Sequence, residues 1–230
     1  MLAELVNLLW SEQKFVLVEP YAERRTGKLL QLRHARGFFE VPEYEFALNC
    51  MSSASPTVVK SLSNELVDDN VIYTTKTKAE DLDPRFPWFI QRLVVAKEDV
   101  TVVFVRGQMF AFSLERDFLD KSVDWRQFIS PEQKWKAHSI PVNLQQAIVQ
   151  YMKTLRLDYG RLDFLLGDDS CYWFCEVNPN GQFAWLDLIG DFGVVQAVVN
   201  EISPSTEHHS ISHAHPLASS VPVRTPSEAI

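Results

Sequence analysis

The chain contains few of the residues that mark several large classes of protein. It has three cysteines, Cys50, Cys171 and Cys175, an odd number that gives no sign of a disulfide-rich framework. No apolar run approaches the roughly 18 residues that a membrane-spanning helix needs. The apolar beginning, MLAELVNLLW, contains Glu4 and lacks the basic lead and the small-residue cleavage site of a secretion signal. We therefore expect a cytoplasmic protein with reduced thiols and no membrane partner.

Basic residues are also in the minority. Lysine and arginine number 22 against 30 aspartates and glutamates, which gives a net charge of −8 and an isoelectric point near 5.3. Contacts to a nucleic-acid backbone normally come from a basic surface, so we expect no nucleic acid as the main ligand. The hydrophobic fraction of 46% is enough for a substantial core in one domain or two lobes.

Residues 161–186, RLDFLLGDDSCYWFCEVNPNGQFAWL, are the most informative part of the sequence. Two apolar runs, Leu162 to Leu166 and Cys171 to Val177, flank the polar tetrapeptide GDDS. A strand, a tight turn and a second strand have this composition, so the pattern predicts a β-hairpin. A four-residue turn would pair Leu166 with Cys171.

Three side chains of this hairpin predict a metal site. In the register above, Asp163 lies opposite Phe174 and diagonal to Glu176, at roughly 7–8 Å between backbones. Glu176 and Asn178 are two residues apart in a strand and therefore share a face. Two carboxylates and an amide suit Mg²⁺ or Mn²⁺, which proteins bind together with the phosphates of a nucleotide. Alternatively, Asp163 and Glu176 are ordinary solvent-facing strand residues.

Periodicity predicts the surrounding elements. A second hairpin, rich in β-branched and aromatic residues, is expected from Val94 to Leu114. Apolar spacing and end signals predict four helices. These cover Leu2 to Trp10, the residues between Thr26 and Gly37, a helix begun by an Asn143–Gln146 capping box, and about Leu188 to Asn200.

Several motifs follow one another in an order that a known family shares. YGRLDFLLGDDSCYWFCEVNPNGQFAWLD places an acidic residue before a hairpin that ends in E-x-N-P-x-G-Q. The segments GKLLQLRHARG, TVVK and, at residues 124–126, DWR precede it. Together they resemble the ATP-grasp ligases, most closely the branch of microviridin-type ribosomal peptide maturases. The resemblance extends from about residue 27 to about residue 187.

This resemblance implies a fold and a division of the chain. The fold would be α+β, with two lobes whose antiparallel sheets clasp a nucleotide. Residues 1–43 would form a remnant of the N-terminal subdomain with a lysine-led helix, residues 44–88 the small lobe and residues 89–202 the large lobe with the metal-binding hairpin. Residues 203–230, rich in Ser, Pro, His and Thr, would be a disordered tail. We expect the family's N-terminal subdomain to be largely absent, because about two dozen residues precede the lysine-led helix.

The resemblance also assigns candidate site residues. Thr101 departs from the family, which often has arginine there, and the loop after Lys60 has no glycine. Asp99, or alternatively Glu98, would bind the ribose. The metal ligands would be Asp163, Glu176 and Asn178, and the nucleotide would contact Lys28, Lys60, Ser61, Gln91, Arg92, Leu93, Val94 and Asp99. Solvent exposure is the alternative for Lys28.

The implied activity is ATP- and Mg²⁺-dependent ligation. A substrate carboxylate would take the γ-phosphoryl group, and an amine or hydroxyl would then displace phosphate, giving an amide or ester. Arg126, Arg116 or Arg161 would stabilise the acylphosphate, with a surface position as the alternative for each. A ribosomally made precursor peptide is the expected substrate and a homodimer the expected assembly. The rival hypotheses are a non-catalytic nucleotide- or peptide-binding module of this fold, and a structural α+β protein without a ligand.

Overall fold

The computed structural model of the protein describes residues 2–12, 17–48, 56–60, 62, 74–77, 81–116, 135–190 and 193–202. The predictions for Cys50, Ser61, Arg126 and the tail from residue 203 lie outside these residues. The elements, in chain order, are α1 (Leu2–Ser11), α2 (Ala22–Arg25), α3 (Lys28–Ala35), β1 (Tyr44–Ala47), β2 (Thr57–Val59), β3 (Thr75–Thr77), β4 (Trp88–Arg92), β5 (Glu98–Val105), β6 (Gln108–Glu115), β7 (Lys136–Ala137), α4 (Val142–Leu155), β8 (Tyr159–Leu166), β9 (Tyr172–Asn178), α5 (Ala184–Gly190) and α6 (Val194–Ile202).

The larger of two antiparallel sheets has five strands in the order β7-β6-β5-β8-β9. Strands β5 and β6 are joined by Arg106 and Gly107, both with positive φ, 44° and 95°. Positive φ at both turn residues gives the twist that a two-residue hairpin needs. The two hairpins expected from sequence are therefore confirmed, with β5 beginning at Glu98 rather than at Val94.

One face of the larger sheet carries the main hydrophobic core. Residues of α3 and α4 pack there against apolar side chains of β5, β8 and β9. Phe174 of β9 is fully buried and stacks on Phe39, with ring centroids 5.3 Å apart. The rings of Tyr151 and Phe164 contact Phe174 edge-on. This aromatic cluster fixes β9 against the helices.

The opposite face is divided between a second, smaller core and a polar region. Leu186 of α5 and Val194 and Ala197 of α6 belong to the same apolar cluster as Val103 and Val105 of β5. Because side chains alternate along each strand, the polar residues of this face form one continuous region. We call this region the polar face; it carries Asp99, Thr101, Arg161, Asp163, Glu176 and Asn178.

The smaller sheet has four strands in the order β1-β4-β2-β3. Lys60 continues the line of β2, and its N–H donates to the carbonyl of Phe89 in β4 at 3.2 Å. Strand β4 leads through residues 93–97 into β5, so this short linker joins the two sheets. The predicted α+β class with two antiparallel sheets is confirmed. The domain limits at residues 43, 88 and 202 stay predictions.

Helix α4 begins earlier than the sequence pattern indicated. Val142 is its first residue and Pro141, with a φ of −59°, is its N-cap, so the predicted Asn143 capping box does not form. The fixed φ of proline prepares the first helical turn. Leu144, which the helix pattern assigned to the packed face, is buried as expected.

The helix expected from Leu188 to Asn200 is two helices in the structure. Gly193, with a φ of 82°, lies between α5 and α6 and cannot continue a helix. Asp187 of α5 accepts hydrogen bonds from the N–H groups of Val194 and Val195, at 3.0 and 2.6 Å. A carboxylate in this position caps α6. No helix of the described ranges combines the length and apolar character needed to cross a bilayer.

The aromatic cluster gives a testable estimate of stability. Phe174→Ala should lower the free energy of unfolding by about 3–5 kcal/mol, because it removes a fully buried ring and leaves a cavity. Phe46→Ala, at a position 48% exposed, should cost less than about 1 kcal/mol. Urea denaturation followed by circular dichroism measures both. Equal losses would contradict the assigned core.

Candidate functional site

A bulge in strand β9 decides which side chains reach the polar face. The register between β8 and β9 shifts between Asp163 and Phe164: Phe164 pairs with Phe174, whereas Asp163 pairs with Glu176. Cys175 is the extra residue. In a regular strand without this bulge, Glu176 would share a face with Phe174, two residues earlier, and would point into the aromatic core. The bulge instead turns Glu176 and Asn178 toward Asp163.

The register expected from sequence was wrong in two respects. Leu166 pairs with Tyr172 rather than with Cys171, because the turn closes through a hydrogen bond from the N–H of Gly167 to the carbonyl of Cys171, 3.0 Å long. Asp163 lies directly opposite Glu176 rather than opposite Phe174. The longer turn and the bulge together bring the two carboxylates closer than a diagonal pair.

The two opposed carboxylates have partners of opposite charge. The Thr101 hydroxyl donates to Oδ1 of Asp163 at 2.7 Å, and Nη2 of Arg161 donates to its Oδ2 at 3.3 Å. Nζ of Lys28, in the first turn of α3, lies 3.0 Å from Oε2 of Glu176. Burial raises the pKa of the Asp163 carboxyl, and the Glu176 carboxylate raises it too, against the opposing effect of Arg161 and Thr101. The pair therefore favours an additional cation.

The residues after β9 form a tight turn that fixes Asn178. Oδ1 of Asn178 accepts a hydrogen bond from the N–H of Asn180 at 3.0 Å, and its carbonyl accepts one from Gly181 at 3.1 Å. A Cβ at Gly181 would lie 2.5 Å from the Cβ of Arg161, so the turn packs tightly on β8. The side-chain oxygen of Asn178 keeps a second lone pair. The described residues contain no group of three His, Cys, Asp or Glu side chains placed to hold a metal. The predicted ligand set has two carboxylates, and its third oxygen would be this amide.

Gln31 of α3, which the sequence analysis did not identify, holds the edge of β9. Its Oε1 accepts the N–H of Val177, the residue between Glu176 and Asn178, at 2.9 Å. Its Nε2 donates to the carbonyl of Thr26, and its own carbonyl accepts the hydroxyl of Tyr151 at 3.2 Å. Gln31 lies one helical turn after Lys28, which is the only sequence signal that links it to the site. A cleft of about 380 Å³ between α3 and the end of β9 is lined by Glu23, Thr26, Gly27, Lys28, Gln31, Leu62, Glu176, Val177, Asn178 and Pro179.

The smaller sheet contributes a positive charge to the same region. The thiol of Cys175, at the bulge, is a probe of its surroundings: burial raises its pKa to about 11, and the Lys60 ammonium opposes this. The carboxylates of Asp163, Glu176 and Asp99 also raise it. One lysine of the smaller sheet and three carboxylates of the larger sheet therefore act on a single atom. The structure brings these predicted site residues together.

The end of β4 and the start of the linker to β5 carry polar groups without a hydrogen-bond partner in the described part of the chain. Gln91 is buried, and its Nε2 makes no hydrogen bond in the described part of the chain. Arg92 stacks over the ring of Trp173 at 4.8 Å, and its buried Nε also has no hydrogen-bond partner there. The N–H of Leu93 donates to Pro56, whereas within the described ranges that of Val94 donates to no backbone carbonyl. Buried donors without acceptors are costly unless a ligand supplies the acceptor.

Asp99 and Arg116 form an ion pair beside this region. Nε and Nη2 of Arg116 donate to the two carboxylate oxygens of Asp99 at 2.7 and 2.8 Å. Both side chains are largely buried. Arg116 thus contacts the polar face through Asp99. The predicted roles of Asp99 at the ribose and of Arg116 at the acylphosphate stay predictions.

Neither a protein-family model nor a curated protein sequence matches the chain, but solved structures do. The macrocyclase MdnC of Microcystis aeruginosa MRC, bound to the precursor peptide MdnA, is 26% identical over 86% of this chain and 67% of its own, with a TM-score of 0.73. A RiPP-associated ATP-grasp ligase of Chryseobacterium gregarium, in complex with ADP and a leader and core peptide, is 22% identical over 86% and 65%, with a TM-score of 0.72. The ATP-grasp ligase PsnB, complexed with a minimal precursor, Mg and ADP, is 19% identical over 85% and 65%, with a TM-score of 0.60.

The chain has the ATP-grasp fold. Its likeness to MdnC and to RiPP-associated ATP-grasp ligases confirms the resemblance to this superfamily and to its peptide-maturase branch that the sequence indicated. The chain spans about two thirds of the length of these proteins.

The raised pKa of Asp163 predicts a pH-dependent stability. Because the pKa is higher in the folded chain than in the unfolded chain, ionisation disfavours folding, and the cost appears as the pH rises through the folded-state value. Asp163→Asn removes this ionisation. Relative to the unchanged protein, the variant should therefore gain free energy of unfolding as the pH rises above the ordinary range of a carboxyl group. Urea denaturation without divalent cations measures this.

Thr101→Val provides the opposing comparison for this measurement. It removes the hydroxyl donor of Asp163 and keeps the charge, so its cost in stability should increase with pH. An Asp163→Asn variant that loses relative stability as the pH rises would show that Arg161 and Thr101 outweigh burial and the Glu176 charge.

Gln31 should position Glu176 and Asn178, the predicted metal ligands on either side of Val177. Gln31→Leu leaves the Val177 N–H without its acceptor, so we expect a loss of about 1–3 kcal/mol in the free energy of unfolding and weaker binding of Mg²⁺ with ATP. Tyr151→Phe removes the hydroxyl that donates to the Gln31 carbonyl. It keeps the ring that packs on Phe174 of β9. It should lower stability but leave nucleotide affinity unchanged. Calorimetric titration separates the two effects; equal affinity losses would contradict a positioning role.

Proposed function

We propose that the chain is an ATP- and Mg²⁺-dependent carboxylate ligase of the ATP-grasp type that acts on a peptide. The observation that carries this proposal is the meeting of Asp163 and Glu176 on the polar face, where Lys28 contacts Glu176 and the Lys60 charge acts on the neighbouring Cys175 thiol. Carboxylates that hold a cation, beside a cleft that Lys28 also lines, suit a triphosphate better than a neutral ligand.

The oxygen set on the polar face fits Mg²⁺ or Mn²⁺. Asp163, Glu176 and Asn178 would hold the ion. Burial raises the pKa of the Asp163 carboxyl, and a bound cation would favour its charged form. Carboxylate and amide oxygens without thiolate or imidazole ligands favour these hard cations over zinc. When bound, the ion would neutralise charge on the β- and γ-phosphates.

The remaining site residues would bind the nucleotide in two groups. Lys28 and Lys60 would contact the phosphates, with Lys28 exchanging its Glu176 contact for a phosphate oxygen. The buried amide of Gln91 and the N–H of Val94 would bind the adenine, since both lack a protein acceptor within the described residues. Asp99 would bind the ribose. Ser61, Arg92 and Leu93 complete the proposed nucleotide contacts.

The proposed reaction has two steps. A substrate carboxylate oxygen attacks the γ-phosphorus and the bond to ADP breaks; an amine or hydroxyl then attacks the acyl carbon and phosphate leaves, giving an amide or ester. Arg161 is well placed for the acylphosphate, because it adjoins Asp163 and its buried Nε has no hydrogen-bond partner in the described part. Arg116 and Arg126 are the further candidates. The work of these residues is positioning and charge stabilisation.

The comparisons support a peptide as the substrate. MdnC and the Chryseobacterium gregarium ligase are crystallised with precursor, leader or core peptides. By extension, we propose a ribosomally made precursor peptide for this chain. Cytoplasmic location, a homodimer and the absence of a nucleic-acid ligand stay expectations of the same proposal.

Glu176→Gln tests the proposal directly. It keeps the shape of the side chain and removes one negative charge from the pair of carboxylates, Asp163 and Glu176. Binding of Mg²⁺ with ATP should therefore weaken at least about tenfold, and peptide-dependent ADP release should fall on the order of 100-fold. Glu115→Gln, at an exposed position of β6, is the matched control and should change neither. Calorimetry and a coupled ADP assay with acidic test peptides make the measurements. Unchanged nucleotide affinity in Glu176→Gln would overturn the proposal.

A non-catalytic nucleotide-binding module is the second candidate. The ion pairs of Lys28 with Glu176 and of Asp99 with Arg116 favour it, because they compensate charge in the site without a substrate. The same assay separates the two functions. ATP binding without acceptor-dependent release of ADP across the peptides would favour the module over the ligase.

A further inference from the structure

A second cavity, separate from the cleft at α3, opens beyond the end of the polar face. Its volume is about 630 Å³, within the range of pockets that enclose small ligands. None of the residues that form it is charged. They are Leu17, Val18, Tyr159, Asn180, Gly181, Gln182, Phe183, Ala184 and Trp185.

The aromatic walls of this cavity are held by neighbouring rings. Phe183 contacts Tyr159 edge-on at 5.9 Å, and Trp185 contacts Trp135 edge-on at 5.6 Å. The Tyr159 hydroxyl donates to the carbonyl of Gly181, and burial raises the pKa of Tyr159 to about 12, so the ring stays neutral. The cavity is therefore preformed, apolar and uncharged, although the chain as a whole is acidic.

Arg161 connects the cavity to the carboxylate pair of Asp163 and Glu176. Its Nη1 donates to the carbonyl of Gln182 at 3.0 Å, and its Nη2 donates to Asp163 at 3.3 Å. On β8, the side chains of Tyr159, Arg161 and Asp163 share one face. Tyr159 lines the cavity and lies four residues from Asp163, so the cavity begins about 13 Å from Asp163 along the strand, at about 3.3 Å per residue. An extended peptide covers this distance within three or four residues.

We infer that this cavity receives a large apolar side chain of the peptide, a few residues from the reacting carboxylate. The inference rests on the proposed function, which places that carboxylate beside Arg161. The buried Nε of Arg161, without a hydrogen-bond partner in the described part, complements an acidic side chain, and the neighbouring uncharged cavity complements an aromatic or leucine-sized one. The substrate class is thus a peptide that combines an acidic residue with a bulky apolar residue nearby.

Two synthetic peptides test this inference: acetyl-Trp-Gly-Gly-Glu-Gly-Gly-Trp-amide and acetyl-Ser-Gly-Gly-Glu-Gly-Gly-Ser-amide. A tryptophan lies on each side of the glutamate, so one of them can reach the cavity whichever way the peptide runs. Ala184→Phe adds a ring inside the cavity, and Leu188→Phe adds the same ring on the same helix at a position 87% exposed. Calorimetric titration gives the Kd of each peptide and of ATP with Mg²⁺ for the three proteins.

We expect the unchanged protein to bind the tryptophan peptide at least tenfold more tightly than the serine peptide. Leu188→Phe should keep this ratio, whereas Ala184→Phe should reduce it below threefold with ATP affinity and Tm unchanged. The inference would be overturned by equal Kd values for the two peptides, by no binding of either peptide, or by a preserved ratio in Ala184→Phe. If ATP with Mg²⁺ still binds, these results leave the proposed function intact. A tryptophan preference without ATP binding would instead overturn the proposed function.

Discussion

The bulge at Cys175 is the constraint on which the site depends. Strand β9 has to bury Phe174 in the aromatic core and present Glu176 to Asp163, and a regular strand places residues two apart on the same face. One extra residue resolves this conflict. The strand keeps its hydrophobic anchor on one side of the sheet and gains a carboxylate on the other. The core and the site are thereby coupled through a single backbone irregularity.

The electrostatics of the site oppose its stability. Two carboxylates face each other near the Cys175 thiol. Burial raises the pKa values of Asp163 and Cys175, and neighbouring carboxylates raise them further against the opposing effects of Arg161 and Lys60. Lys28, Arg161 and Lys60 reduce this cost from three different elements. The proposed function would explain why this cost is retained, because opposed carboxylates are the groups that would attract a divalent cation.

Much of the fold could be predicted from the sequence, since apolar runs and turn residues mark both hairpins and the E-x-N-P-x-G-Q end marks the turn after β9. The register could not, because neither a bulge nor a five-residue turn has a signal in the alternation of residue types. Gln31 was missed for a similar reason: a glutamine in a helix of mixed polarity resembles a surface residue, and only tertiary packing reveals its contact with Val177. The division between α5 and α6 depends on Gly193 and on a cap supplied by Asp187 from the preceding helix.

Strand β9 lies at the border of the larger sheet, where unpaired backbone groups ordinarily invite another strand. Here the outward N–H of Val177 is taken by Gln31, and that of Phe174 by the carbonyl of Glu40. An extended peptide therefore finds no row of main-chain donors along this border. Recognition by strand addition, as in domains that extend their sheets with a ligand, is therefore closed at these two positions of β9, and the peptide of the proposed function would be recognised there through its side chains.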